Sequence, residues 1–168
     1  MTRVDYATIE TILTVLDAQF SSTVGSTDRT LPIAYSKLSL LEISGWIEES
    51  MDTILFNYID SKIIDATCKS QTKDVIRKNY SFDESHFYHI FICALGVNNL
   101  ENILDHIGAA QTTVLMAKFN DYASKRNNAA HKYQLVTSTF PAPSQVLNDY
   151  RIIKPIISDL EQEVIRLI

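Results

Sequence analysis

Proline and glycine are scarce here: each occurs four times in 168 residues. The prolines are Pro32, Pro141, Pro143 and Pro155, so residues 33 to 140 contain none, and the glycines are Gly25, Gly45, Gly96 and Gly108. A sandwich or barrel needs turn residues about every 8–12 positions, which excludes an all-β chain. Cysteine is reduced to Cys68 and Cys93, too few and too loosely spaced for a disulfide framework or a zinc knuckle. Both read as small buried apolar residues with reduced thiols. No apolar run reaches the roughly 20 residues that cross a bilayer. The opening Met-Thr-Arg-Val-Asp-Tyr, followed by Glu10, lacks the apolar stretch of a signal peptide. The expectation is a cytoplasmic protein with no membrane partner. Base is short as well, with 15 Lys and Arg against 20 Asp and Glu. That deficit argues against a general nucleic-acid coat, whose affinity comes from many cations neutralising phosphates.

What is present is apolar and helical. Hydrophobic residues make up 46% of the chain and aromatics 10%, enough for an ordered core. The length fits one domain over 1–168, read as an N-terminal helix and loop (1–30) and a core (31–168). Ile9, Ile12, Leu13, Leu16 and Phe20 share one helical face. Residues 21–30 read as a loop. A long helix after Pro32 would bury Leu38, Leu41, Ile47, Met51, Ile54, Leu55 and Tyr58. Ser81-Phe-Asp-Glu84 has the form of a capping box before an apolar helix with Phe87, Ile90, Phe91 and Ala94 inward. Gly96 and Gly108 bracket a short helix carrying Leu100, Leu104 and Ile107, and a further helix runs from 112 to about 134. After the Pro-Ala-Pro break, Val146, Tyr150, Ile153, Ile157, Leu160, Val164 and Leu167 alternate spacings of four and three. Such a stripe is a bundle seam, or a two-chain seam if left exposed, and Pro155 should kink it. The fold class expected is all-α, an up-down bundle of six or seven helices.

Chemistry concentrates in Lys125-Arg126-Asn127-Asn128-Ala129-Ala130-His131-Lys132-Tyr133. The window 118–132 holds Lys118, Lys125, Arg126 and Lys132 against Asp121, a net +3, which leaves −8 for the rest. A small basic site on an acidic body attracts phosphate while the remainder repels non-specific RNA. Asn127 and His131 stand at i, i+4 on one helical face. Arg126 and His131 are five apart, about 140° round a helix, and converge only where the helix starts or bends between them. The Ala129-Ala130 pair suits close approach of another helix, within the chain or from a second one.

Arg126-Asn127-x-x-x-His131 resembles the Arg-x4–6-His signature of HEPN domains, in which a polar residue often follows the Arg. Ser44-Gly45-Trp46-Ile47-Glu48-Glu49-Ser50 resembles a stretch in the long early helix of ribonuclease-type prokaryotic HEPN proteins. The resemblance covers about 33–168, with residues 65–110 undiagnostic. Many members carry Gly after the His, where this chain has Lys132. His131-Lys132-Tyr133 is also similar to the His-x-Tyr of toxins paired with nucleotidyltransferase antitoxins, in which the Tyr is modified with AMP. The resemblance implies a HEPN-like bundle and a metal-independent endoribonuclease of a toxin–antitoxin or phage-defence system. It would work as a homodimer, on RNA, without a cofactor. Arg126, Asn127 and His131 would be catalytic, Lys125 and Lys132 RNA-binding, Glu48 supporting, and Tyr133 the AMP acceptor of an antitoxin partner.

The chemistry asks for these residue types. RNA carries its own nucleophile, the 2′-OH, so cleavage needs a proton acceptor, a proton donor and positive charge at phosphorus. Histidine titrates near neutrality and serves either proton role. Arginine offers a fixed fork of donors to phosphate oxygens. The competing readings are a catalytically silent HEPN module for nucleotide or RNA binding or dimerisation, and an unrelated helical interaction domain in which Arg126 caps carbonyls and His131 is partly buried. His86 and His89, at i, i+3 beside Asp83 and Glu84, lack a third ligand at a recognised spacing. No metal is expected.

Overall fold

The computed structural model describes residues 1–25, 27–78, 81–131 and 140–168, and of 130 and 131 only the helical backbone. Among the described residues there are seven α-helices and no strand: α1 (Tyr6–Thr23), α2 (Thr30–Lys62), α3 (Ala66–Arg77), α4 (Glu84–Leu95), α5 (Val97–Ile107), α6 (Ala109–His131) and α7 (Pro143–Arg166). The fold is an all-α helical bundle. None of these helices is long and apolar enough to cross a membrane.

Aspartates begin three of the helices. Asp5 accepts from the amides of Ala7 and Thr8, Asp65 from Cys68, and Asp83 from His86, meeting donors that a helix start leaves without partners. The capping role before α4 therefore falls to Asp83, and Ser81 Oγ donates to its Oδ2 at 2.7 Å instead. Gly96 and Gly108 both take positive φ, 81° and 93°, the left-handed region that a Cβ disfavours. Each closes one helix and opens the next without a longer loop.

The 33-residue α2 is the central pillar, packed against α1, α7, α6, α3 and α4. It buries Leu40, Ile43, Ile47, Met51, Ile54, Leu55 and Ile59. Leu38 and Leu41 are exposed instead, because the inward face follows Ser36, Ser39 and Leu40 rather than the leucines two positions away. Ser39, Ser44 and Ser50 are buried, their hydroxyls donating to the carbonyls of Ser36, Leu40 and Trp46. A serine that satisfies itself on its own helix leaves no bare polar group in the core. Cys68 and Cys93 are both exposed, against the reading of them as buried. Cys93 lies on the outer side of α4, whose inward positions belong to Phe87, Ile90, Phe91 and Leu95; α3 buries only Ile76.

The stripe on α7 is buried within this chain: Val146, Tyr150, Ile153, Ile157, Leu160 and Val164 all enter the core. It is a bundle seam and is not available as a two-chain seam. Ala129 is likewise core, so its small side chain serves packing inside the bundle. Pro155 sits within one continuous α7 on the exposed side, where water can solvate the carbonyl that its missing N–H would have served.

The first residues strap across the bundle. Val4 N–H donates to Glu161 Oε1, Tyr6 OH to Glu161 Oε2, Tyr150 OH to the Tyr6 carbonyl and Trp46 Nε1 to the Asp5 carbonyl. Trp46 packs edge-on against both Tyr6 and Tyr150, a core role for this residue.

Candidate functional site

Arg126 lies near the end of α6, and its surroundings come from four parts of the chain. Facing it is α2, whose core positions Ile47, Met51, Ile54 and Leu55 turn inward. That register sets Glu48 and Asp52, at i, i+4, side by side along the margin of the core. Glu48 Oε1 accepts from Arg126 Nη1 at 2.6 Å, and both side chains are somewhat under one-third exposed. The Arg126 guanidinium also stands over the ring of Phe82, 5.8 Å from its centroid. Phe82 is fully buried and meets Phe119 of α6 edge-on, so this aromatic support of the arginine is fixed to the core.

Beside this pair is a cleft of about 170 Å³. Glu48 and Asp52 line it from α2, Arg77 from the last turn of α3, Ser81 from the segment before α4, and Arg126 from α6, over a floor of Met51, Ile76 and Ile90. Asp52 is half-buried there, and its carboxyl is pushed up to about 6. Burial is the main cause and neighbouring Glu48 adds to it, while Arg77 opposes the rise and Glu49 contributes least. A carboxylate lifted this far is poised near neutrality.

The other basic residues of the 118–132 window are largely engaged. Lys118 Nζ bonds Asp149 at 2.7 Å, and Lys125 Nζ bonds Asp121 at 2.6 Å while lying over Tyr122. The positive charge expected there is thus mostly matched by carboxylates, and Lys125 is not a bare cation. Asn127 is exposed. The α6 helix runs without interruption from Ala109 to His131, so positions 126 and 131 stand about 140° apart and ~7.5 Å along the axis. The side chain of His131, and Lys132 and Tyr133 altogether, lie outside the described residues.

Glu49 faces elsewhere, onto a groove shared with Asp5, Glu42 and Trp46. His86 is tied to its capping residue, with Nδ1 2.8 Å from Asp83 Oδ2. Among the described residues no group of three His, Cys, Asp or Glu side chains could hold a metal ion.

Asp52 and Arg77 were not singled out by their sequence context. The signal for Asp52 was two like charges four residues apart on one helix, an arrangement that costs stability. For Arg77 there was none, since α3 has a single buried residue to fix its register. Comparison with protein-family models, with curated proteins and with solved structures finds no match.

Proposed function

We propose that this protein is a metal-independent endoribonuclease of the HEPN type, acting in the cytoplasm as a homodimer in a toxin–antitoxin or phage-defence setting. The observation that carries the reading is Arg126, braced by Glu48 and Phe82 in the wall of a cleft, on the helix that also carries position 131. Arg126 binds the scissile phosphate and strengthens its hold as charge develops on the phosphorane. The imidazole of His131 takes the proton from the 2′-OH, which attacks phosphorus and expels the 5′-oxygen. A second histidine protonates that oxygen. The products are a 2′,3′-cyclic phosphate and a 5′-hydroxyl.

One chain supplies one His131, and an unbroken α6 separates positions 126 and 131 around its axis. A two-fold dimer with the two α6 ends near the axis brings Arg126 of one chain towards His131 of the other, and isologous pairing is the commonest symmetry. Because the α7 stripe and Ala129 are used inside the bundle, the contact between copies uses other surface. Asn127 orients His131 or donates to the phosphate. Lys125 and Lys132 add backbone contacts, with Lys125 exchanging Asp121 for phosphate. AMP placed on Tyr133 by a nucleotidyltransferase-like antitoxin would set negative charge beside the site and silence it.

Purified protein incubated with mixed RNAs in EDTA, alongside His131→Ala, tests the reading. Cleavage persists in chelator, leaves cyclic phosphate ends and disappears in the variant. Loss of all cleavage in EDTA, restored by a divalent cation, would falsify the mechanism. A monomeric mass by light scattering at tens of micromolar removes the dimer.

A second reading has its own observation. The carboxylate that braces Arg126 also neutralises it, as suits a catalytically silent module that binds nucleotide or RNA. Intact RNA in the same assay, with RNA binding retained, selects that reading.

A further inference from the structure

The cleft beside Arg126 contains a second pair of charged side chains that phosphate chemistry does not use. Glu48 is engaged with Arg126. Asp52 and Arg77 remain, on α2 and α3, over the apolar floor of Met51, Ile76 and Ile90. Arg77 lies over the ring of Phe56, 5.1 Å from its centroid, and forms no ion pair among the described residues. Its N–H donors face no carboxylate within bonding distance, although Arg77 is close enough to Asp52 to influence its acidity.

The chemistry of this pocket narrows what it can hold. An isolated phosphate would meet two carboxylates in the wall. A metal cation would meet two guanidiniums. A volume of about 170 Å³ lies below the roughly 300–1,000 Å³ of sites for drug-sized molecules, so the occupant is one small group. An apolar floor with one acceptor pair and one donor fork left beside the Glu48–Arg126 pair suits a planar heteroaromatic ring read along its edge. The edges of unstacked RNA bases are recognised by hydrogen bonds of this kind. Among the four bases, guanine alone presents two adjacent N–H donors, N1 and N2, next to a carbonyl oxygen. The two oxygens of a carboxylate accept from the first two, and a guanidinium donates to the third.

We infer that this cleft is a guanine subsite, in which Asp52 accepts from N1–H and N2–H and Arg77 donates to O6, placing the adjoining phosphate at Arg126. The inference rests on the ribonuclease reading for its substrate, and it specifies which nucleotide that substrate presents. Burial, with the neighbouring Glu48 adding to it, makes Asp52 a weaker acid than usual, so its carboxylate is a strong acceptor for a ligand's N–H groups.

The test has a binding arm and a cleavage arm. In the first, protein labelled at isoleucine methyls is titrated with guanosine, adenosine, cytidine and uridine 3′-monophosphates, with the Ile76 and Ile90 resonances followed by NMR. Guanosine monophosphate binds at least about tenfold more tightly than the others, as one bidentate base contact provides. Asp52→Asn and Arg77→Gln, each checked for its helical circular dichroism, bring the four within about twofold. In the second arm, oligonucleotides differing at one position are cleaved, and the ratio of guanine to the other bases falls in both variants. Equal binding of all four nucleotides by the unaltered protein, or selectivity for cytosine, overturns the subsite, whether or not RNA is cut. Guanine-selective binding without any cleavage supports the subsite and counts against the ribonuclease. Cleavage without base preference, with unselective binding, leaves the ribonuclease standing and removes the subsite.

Discussion

Asp149 and Asp52 are both carboxylates pressed against the bundle, and their surroundings treat them in opposite ways. Between α6 and α7, Asp149 receives Lys118 Nζ on one oxygen at 2.7 Å and Tyr122 OH on the other at 3.0 Å. Burial and that facing carboxylate together push the Tyr122 phenol upward, so it stays a donor. Between α2 and α3, Asp52 instead has Glu48 on its own helix as a like-charged neighbour and Arg77 only as a moderating cation. The first site satisfies its charge and locks two helices. The second leaves part of its hydrogen-bonding capacity open to a small pocket, and open capacity beside a pocket can be met by a ligand.

The comparison breaks most visibly at Asp149. Asp149→Ala strands a lysine and a buried phenol, a loss of about 3 kcal/mol, which lowers the melting temperature on the order of 10 °C for a chain of this size. Thermal denaturation followed by circular dichroism reads it, and an unchanged melting temperature means that the network is not structural. Next is Arg126→Lys, which keeps the charge but loses the planar fork. Cleavage falls at least about a hundredfold with little change in melting temperature. A comparable drop in both points to a structural arginine.

Asp52→Asn has the opposite sign to Asp149→Ala. A carboxyl whose folded pKa is raised to about 6 destabilises the fold at pH values above that, where it must be ionised. The cost shrinks as pH falls from about 6 towards the unfolded value near 4 and is absent below it. The shift would correspond to about 3 kcal/mol if fully buried; solvent at this half-exposed site reduces that to about 1 kcal/mol. Asp52→Asn therefore melts a few degrees higher at pH 7.5 and shows no gain near pH 4. A gain independent of pH would assign the effect to packing. The smallest change is Gly45→Ala, with no atom within 4 Å of the added Cβ. It stabilises by about 0.5–1 kcal/mol through helix propensity alone, read as a shift in the urea midpoint.

Much of the fold was legible because its punctuation is sparse and literal. Gly96 and Gly108 mark the bounds of α5, and the α7 stripe named six of its core residues correctly. The α3 helix was not legible, since one buried isoleucine among polar residues leaves no periodic signal. The inward face of α2 was assigned in part to Leu38 and Leu41, because buried serines that bond their own helix do not register as apolar. At the site, the identity of Glu48 as a candidate came from its place in a motif. Its contact with Arg126, 78 residues away, is a product of how α6 crosses α2. The cleft needs α3 in place, so Asp52 and Arg77 could not be read before the third dimension was known.

The strap at the start of the chain bears on synthesis. Val4 and Tyr6 are held by Glu161, and Tyr6 by Tyr150, so α1 completes its packing only with α7. At roughly 5–20 residues added per second, that partner follows α1 by on the order of ten seconds. Through that interval the nascent chain carries Trp46, buried when folded, without the Tyr150 ring of α7 that packs on it. The bundle closes only once α7 has been made, and until then this apolar surface is open to any factor that binds exposed apolar helices.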